Sequence, residues 1–297
     1  MPELPEVETI ARGLDKRVAG DVVESVWIGS RKQPLKTPAV VIAATLEGKR
    51  IVRVHRAGKH IVFDLEGASK ALQTPPRKAN RTGRGQARQA ASLPHSQAET
   101  AQWIVHLGMT GSMVVSEPAA DIAKHTHLIA KLASGRELRF IDPRMFGKLS
   151  IHPGGFDPGG VEPLGVNEEQ FAELFRGRKT PIKSALLNQK LLRGVGNIYA
   201  DESLFRAGIR PRRRAATITR ERLGKLHAAV REVLREAIAL GGSSISNYVD
   251  ADGEEGFFQL QHRVYGREGE PCLVCGTAIR RVVLAGRSSH YCSNCQK

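Results

Sequence analysis

The first eighteen residues repeat apolar positions with the period of an α-helix. Pro5 suits the first position of such a helix, because the first N–H groups of a helix have no intrahelical partner and proline lacks one. Glu6 and Glu8 follow where the positive end of the helix dipole favours acidic side chains. The pattern predicts an amphipathic helix that begins at Pro5, with Pro2 and Glu3 ahead of it. Its apolar face contains Val7, Ile10, Leu14 and Val18.

Two blocks of short, β-branched segments follow this helix. Residues 20–66 alternate between apolar and polar positions in the manner of half-buried strands, and residues 103–152 repeat the pattern. One helix followed by many short strands is typical of a β-sandwich. We therefore predict a sheet domain over residues 1–151.

Between the two blocks, residues 67–101 are rich in Ala, Gln, Arg, Pro and Ser and have almost no large apolar side chains. Such a segment cannot bury enough surface to offset the entropy lost on ordering. We interpret it as a disordered basic insertion in the sheet domain. A solvated loop is the simpler interpretation, and a non-specific DNA tether is the alternative.

After residue 151 the pattern changes again. Residues 152–165 are dense in Gly and Pro, as is typical of an interdomain linker. Residues 166–256 then show helical periodicity and a polar, Gly-rich loop at their end, which predicts a helical domain. The predicted helices cover residues 168–176, 181–189, 198–207 and 219–240.

The four cysteines of the chain form two CxxC pairs separated by sixteen residues. In an intracellular protein this spacing indicates that four thiolates close a tetrahedral, structural zinc site. Two disulfides or reactive dithiols are the alternative, which a reducing compartment disfavours. We predict one structural Zn²⁺ in a ribbon over residues 257–297. Its ligands are Cys272, Cys275, Cys292 and Cys295.

The net charge of the chain indicates which class of molecule it binds. The sequence has 45 Lys and Arg against 30 Asp and Glu, a net charge of +15. A polyanion is therefore the expected partner, with nucleic acid ahead of a membrane surface. No run of 18 apolar residues and no basic-then-apolar leader are present, so we expect a cytoplasmic protein without a membrane span.

A glycine-containing turn separates two of the predicted helices. Gly194 and Gly196 flank Val195, and Asn197 stands where the following helix should be capped. N–H groups at a helix start bind phosphate well, although Asn197 alone could be only a cap. The arginine cluster of "RPRRR" (Arg210 and Arg212–Arg214) just downstream favours phosphate binding.

The motifs "PELPEVE" and "GVGNIYADESLF", followed by the two CxxC pairs, together resemble the formamidopyrimidine-DNA glycosylase family. Their order and spacing carry the resemblance, which covers the chain except residues 67–101. The related endonuclease VIII branch typically has Gly in place of Leu4, so "PELPE" favours the branch that acts on oxidised purines. The resemblance implies an α+β fold with an N-terminal helix and β-sandwich, a helix–two-turns–helix domain and a zinc finger.

The resemblance also implies a reaction at the N-terminus. Removal of Met1 would make Pro2 a terminal secondary amine, and an ordinary α-amino group (pKa about 7.7–8.0) is far more often neutral at pH 7 than lysine. That amine would attack the sugar C1′, expel 8-oxoguanine or a formamidopyrimidine, and cleave the strand by β,δ-elimination. Glu3 would supply the proton for the sugar ring oxygen, and Glu6 would organise the site.

Other residues match family positions that contact DNA. Lys59 and His106 match phosphate contacts at the lesion, and Lys183 matches a lysine near it. Arg287 matches the finger arginine that holds phosphate beside the orphaned base. Without the resemblance, Lys59 would be an exposed strand lysine, His106 a structural histidine and Arg287 a solvated side chain. Lys59 is also the main rival to Pro2 as the amine that forms a Schiff base.

Three residues match a wedge that fills the duplex when the damaged base leaves: Met109, Arg144 and Phe146. Such a wedge is physically required, because flipping a base costs a few kcal/mol of stacking and pairing. Without the resemblance, Met109 and Phe146 would be assigned to the core.

Three functions are therefore compared. The first is a bifunctional glycosylase and lyase for oxidised purines, acting as a cytoplasmic, nucleoid-associated monomer on double-stranded DNA that contains oxidised purines or abasic sites. The second is the same scaffold acting on oxidised pyrimidines, which differs mainly in the loop around residues 243–257 that covers the flipped base in the family. The third is a non-catalytic zinc-ribbon nucleic-acid binder, which "PELPE" disfavours because a binder needs no amine beside a carboxylate.

Overall fold

The computed structural model describes residues 1–31, 34–67, 100–243 and 256–297. Most of the predicted insertion (67–101) and of the predicted lesion loop (243–257) lies outside these ranges. The helices are α1 (Leu4–Val18), α2 (Ala39–Leu46), α3 (Glu168–Glu173), α4 (Ile182–Leu186), α5 (Asn197–Arg206) and α6 (Arg220–Ala239), with 3₁₀ turns at Ala215–Thr217 and Phe258–Gln261. The strands are β1 (Val23–Ile28), β2 (Arg50–Ala57), β3 (His60–Glu66), β4 (Ala101–His106), β5 (Ser112–Ser116), β6 (Thr126–Leu132), β7 (Glu137–Ile141), β8 (Lys148–His152), β9 (Ile279–Leu284) and β10 (Arg287–Cys292).

Helix α1 buries the apolar face that its sequence predicts. The prediction that it begins at Pro5 is wrong by one residue: the helix starts at Leu4, Glu3 is the N-cap, and Pro5 takes the second position. Proline fits there equally well, because the second N–H of a helix also lacks an intrahelical partner. The Glu3 N–H donates to Glu6 Oε2 at 2.7 Å, which fixes the chain just ahead of the helix.

The predicted sheet domain contains two four-stranded antiparallel sheets. Their strand orders are β1-β6-β7-β5 and β2-β3-β4-β8, and one apolar cluster joins α1 to both sheets. Phe63 and Trp103 stack at 4.7 Å within this cluster. The sheets confirm the α+β class, and α1 contacts strands of each sheet.

Residues 39–46 lie in a block that the sequence pattern assigned to strands, but they form helix α2. Pro38 is its N-cap, and Ile42 and Leu46 are its buried residues, one helical turn apart. The helix contacts β1 and β8, one strand of each sheet. The apolar run "AVVIAATL" has no clear period of its own, which is why the pattern did not distinguish helix from strand.

The helical region forms a second apolar cluster. Helix α6 contributes the predicted stripe, including Leu226, Val230 and Val233, while Leu4 of α1 also packs into this cluster. Helices α3 and α4 are shorter than predicted, ending at Glu173 and Leu186. Leu4 therefore links the start of α1 directly to the helical region.

Strands β9 and β10 pair in antiparallel fashion and form the predicted ribbon. Phe205 of α5 and Val264 pack with ribbon residues in a third small cluster. Arg210 does not join a free basic cluster, because it donates to the backbone oxygens of Gln296 and Ser293 and so ties the ribbon to the end of α5. Among the described residues, no helix is both long and apolar enough to cross a membrane.

Candidate active site

A cavity of about 550 Å³ lies where the sheet domain, the helical region and the ribbon meet. Six of the predicted site residues contribute to its wall, although they come from distant parts of the sequence. The sheet domain contributes Met1, Glu3, Lys59, His106 and Met109, the helical region Ser184, Gly196 and Asn197, and the C-terminal region Tyr265 and Arg287.

The glycine turn brings the start of α1 against the start of α5. The Leu4 N–H donates to Gly194 O at 3.1 Å, and the Ile198 N–H donates to Glu3 Oε1 at 3.3 Å. A Cβ atom on Gly194 would lie 2.8 Å from the Leu4 side chain, and one on Gly196 would lie within 2.5 Å of the Glu3 carboxylate. The two glycines therefore allow a close approach of two helix starts, which positions Glu3.

Glu3 and Lys59 share the floor of the cavity, and each is largely removed from solvent. Burial raises the pKa of Glu3 to about 7, an effect that the charge of Lys59 opposes. Burial also lowers the pKa of Lys59, which Glu3 opposes and Arg287 reinforces. A carboxyl group with this pKa is partly protonated at neutral pH, so it can donate a proton to a substrate in the cavity.

Glu6 lies one layer behind the cavity and does not line it. Its carboxylate accepts hydrogen bonds from the Tyr199 hydroxyl, the Ser243 N–H at 2.8 Å and the Glu3 N–H at 2.7 Å. Burial, followed by the charge of Glu6, raises the pKa of Tyr199, so this hydroxyl stays a donor. Glu6 thus positions Glu3 and does not line the cavity, which is compatible with the organising role that the resemblance implies.

The N-terminus itself points into the cavity. Met1 is among the lining residues, and Pro2 is half-buried between Met1 and the N-cap Glu3. The Pro2 nitrogen is an amide while Met1 is attached. Removal of Met1 would leave a secondary amine at the wall of the cavity, next to the Glu3 carboxyl group.

The four cysteines come together at the base of the ribbon, with their sulfur atoms within 4.8 Å of one another. The Sγ–Sγ distances are 3.9 Å for Cys272 and Cys295 and 3.5 Å for Cys275 and Cys292. A tetrahedral zinc site with Zn–S bonds of about 2.3 Å requires Sγ–Sγ separations of about 3.8 Å. The cluster therefore fits one structural zinc ion with no open coordination position.

Three family models match the chain, in the same order as the sheet domain, the helical region and the ribbon. The formamidopyrimidine-DNA glycosylase N-terminal domain matches residues 1–149, the formamidopyrimidine-DNA glycosylase H2TH domain matches residues 160–249, and a zinc finger found in FPG and IleRS matches residues 269–297. The chain belongs to the formamidopyrimidine-DNA glycosylase family.

Relatives of this glycosylase family match the chain over its whole length. Formamidopyrimidine-DNA glycosylase of Solibacter usitatus is 43% identical over 300 residues, which covers 100% of both chains. The MutM (Fpg) protein of Thermus thermophilus has a TM-score of 0.79 at 37% identity and covers 99% of this chain and 98% of its own. A Lactococcus lactis FPG mutant, in complex with DNA containing Fapy-dG, has a TM-score of 0.81 at 31% identity with 100% coverage of both chains.

His106 lies in the cavity wall of the glycosylase fold as a neutral hydrogen-bond donor. Its Nδ1 accepts the Gly108 N–H at 3.1 Å, so the neutral ring carries its proton on Nε2. Burial, with smaller contributions from His60 and Lys148, lowers the pKa of His106 to about 4. This arrangement is compatible with the predicted phosphate contact, made by an uncharged N–H.

The predicted wedge residues are exposed, although two of them are large and apolar. Met109 is 41% exposed and Phe146 52% exposed, and the Arg144 guanidinium lies 5.0 Å from the Phe146 ring centre. A Cβ atom on Gly108 would lie 2.5 Å from the Phe146 backbone, so the two wedge loops are in close contact. Their exposure excludes the alternative that Met109 and Phe146 belong to the core.

Asn197 is the first residue of α5, and Gly196 is the N-cap, so the prediction of Asn197 as the cap is wrong. Gly196 takes this position because its missing Cβ makes room for Glu3. The Asn197 side chain lines the cavity, and its Oδ1 has no hydrogen-bond partner among the described residues. This orientation suits the predicted contact with a ligand better than a capping role.

Lys183 does not line the cavity, and its contact with DNA stays a prediction. Its side chain is fully buried, with Nζ 2.7 Å from Asp201 Oδ1 and 2.6 Å from Ser288 O. Helix α4 directs it inward, toward α5 and the ribbon. Because Ser288 follows Arg287, Lys183 acts on the site by fixing the ribbon strand that presents this arginine.

Arg287 is exposed at the start of β10 and lines the cavity beside the turn at Ala285. Tyr265, which the sequence reasoning missed, lines the same wall, and its ring centre lies 5.1 Å from that of His290. A tyrosine in "VYG" carries no distinguishing spacing, so only the fold shows that it faces the cavity.

Proposed function

We propose that this chain removes oxidised purines from duplex DNA and then cleaves the strand at the resulting abasic site. The observation that carries the proposal is the buried Glu3 carboxyl group, with its pKa near 7, directly beside the residue that becomes the N-terminus. The family relation supports it, since one relative has been solved with DNA that contains Fapy-dG.

In the proposed reaction, the neutral Pro2 amine forms a bond to C1′ as the glycosidic C–N bond breaks, and the proton that the Pro2 nitrogen loses goes to the departing base. Glu3 protonates the sugar ring oxygen, so the ring opens and an iminium forms between Pro2 and C1′. Loss of a C2′ proton then expels the 3′ phosphate, and a second elimination expels the 5′ phosphate. Lys59 and Arg287 add positive charge near the backbone phosphates of the bound lesion.

Because burial lowers the pKa of Lys59, this lysine is the rival nucleophile. Reduction with borohydride during the reaction, followed by peptide mapping, identifies the residue that carries the sugar. We expect the adduct on Pro2 and no reaction from a chain that retains Met1. An adduct on Lys59, with Pro2 unmodified, would refute the proposed nucleophile.

The lesion class is tested by a nicking assay on duplexes that contain 8-oxoguanine or an oxidised pyrimidine. Faster cleavage of the 8-oxoguanine duplex is expected, and preference for the pyrimidine would assign the chain to the sister specificity. We further propose that the enzyme acts as a monomer in the cytoplasm, associated with the nucleoid.

A further inference from the structure

A cluster of cations outside the cavity is formed by two basic runs that are distant in sequence. We call it the basic ridge; it consists of Arg178, Lys179, Arg212, Arg213 and Arg214. Backbone hydrogen bonds join the runs in antiparallel fashion. Ala216 N–H donates to Arg178 O at 2.8 Å, and Ile182 N–H donates to Arg213 O at 2.7 Å.

The basic ridge lacks compensating acids. Within the described ranges, none of its five cations forms an ion pair, and Arg178, Lys179, Arg212 and Arg214 are all exposed. The cations at its border differ, because Arg176 pairs with Glu173 and Arg220 pairs with Glu169. Burial, followed by the charge of Arg213, lowers the pKa of nearby Arg222, so the repulsion extends beyond the ridge.

The ridge is separate from the cavity but close to it. None of its five residues lines the cavity, whereas Ser184, five positions after Lys179, does. Five residues span at most about 18 Å. Along duplex DNA this distance covers about five steps of one strand, since phosphates repeat every 3.4 Å or so.

We propose that the basic ridge is a second, sequence-independent surface for duplex DNA, which binds the phosphate backbone outside the lesion cavity. Five uncompensated cations repel one another, and a polyanion lying across them removes that repulsion. Arginine suits this partner because its guanidinium pairs with phosphate in bidentate fashion. The ridge would act on undamaged DNA, before any lesion enters the cavity, so this proposal does not depend on the proposed reaction.

The test compares two variants with equal loss of charge. The ridge variant replaces Arg178, Lys179, Arg212 and Arg214 with glutamine, and the control variant replaces four exposed cations of the sheet domain with glutamine. The control positions are Lys16, Arg50, Arg53 and Lys131. Affinity for an undamaged duplex is measured over a range of salt concentrations. The slope of log K against log salt is negative, and each lost phosphate contact should make it less negative by about 0.9.

We expect the slope of log K against log salt to become less negative by about two to four in the ridge variant, and by less than one in the control variant. Equal slopes for the two variants would overturn the proposal. So would an unchanged affinity for undamaged DNA combined with a fall in the single-turnover excision rate at saturating enzyme, because that result would assign these residues to the cavity.

Zinc content and the thermal unfolding midpoint show whether each variant is folded. If the fourfold ridge variant does not fold, two double variants take its place: Arg178→Gln with Lys179→Gln, and Arg212→Gln with Arg214→Gln. Each should reduce the slope by about one to two. Double variants with the parent slope would overturn the proposal. If the ridge variants change the salt slope only on long duplexes, the ridge contacts DNA distant from the lesion. If they also change it on short duplexes that contain a lesion, the ridge contacts the DNA that directly flanks the lesion.

Discussion

The substitution Gly196→Ala tests whether the close approach of two helix starts is what positions Glu3. The backbone of Gly196 has φ of −129°, which alanine adopts without strain, so the effect is confined to the added methyl group. That group would lie 2.1 Å from the carboxyl carbon of Glu3, whereas ordinary contact begins at 3.4 Å. The carboxyl group must therefore move by about 1.3 Å, the difference between the two distances.

A displacement of this size should reduce single-turnover excision by about 100-fold, because catalytic groups are sensitive to shifts near 1 Å. The free energy of unfolding should fall by about 1–3 kcal/mol, as is usual for overpacking a buried site. Gly165→Ala is the control, since its Cβ would meet its nearest neighbour at 4.0 Å. If the folded Gly196→Ala variant has a single-turnover excision rate within about threefold of the parent, Glu3 is not held by this contact.

Three further substitutions follow from other contacts. Because the pKa of Glu3 is raised from 4.5 to about 7, folding favours its neutral form, and this stabilisation is lost as the pH rises through 7. Glu3→Gln should therefore be more stable than the parent at pH 8, by up to about 3 kcal/mol in denaturant titrations, with little difference below pH 4.5. The same variant should lose base excision more than cleavage at a pre-formed abasic site; equal losses would contradict the acid role. Lys183→Met should lower the free energy of unfolding by about 3–5 kcal/mol, because Asp201 stays buried without its cation, and a loss below 1 kcal/mol would contradict that account. Cys272→Ser should abolish zinc binding and unfold the ribbon, as measured by metal analysis and proteolysis, and full zinc retention would show that the fourth thiolate is dispensable.

Periodic apolar patterns were sufficient to locate the long helices. The stripes of α1 and α6 are buried as predicted, because helices of 15 and 20 residues repeat their period several times. Helix α2 has eight residues and its apolar run lacks a clear period, so its class depends on contacts with β1 and β8. The cysteine spacing located the zinc site, since ligand pairs in CxxC turns are local in sequence.

Sequence patterns predicted less of the candidate site than of the fold. The exposure of Met109 and Phe146 contradicts what their apolar character alone indicates, and only the family resemblance predicted it. Lys183 is buried because it pairs with Asp201, which comes from another helix. The local sequence around Lys183 therefore does not predict this ion pair. For Gly196, the sequence indicated a turn, but its contact with Glu3 joins residues 193 positions apart.

Helix α5 sets the distance between the two sides of the cavity. Its first residue, Asn197, lies beside Glu3, and Asp201, one turn later, binds both Lys183 and the His290 N–H of the ribbon at 2.8 Å. The four residues from Asn197 to Asp201 rise about 6 Å along the helix axis. The spacing between the start of α1 and the ribbon strand that carries Arg287 therefore depends on this one turn of α5. Inserting one residue between Asn197 and Asp201 would rotate Asp201, which holds the ribbon, by about 100° about the helix axis. That rotation would separate the two sides of the site.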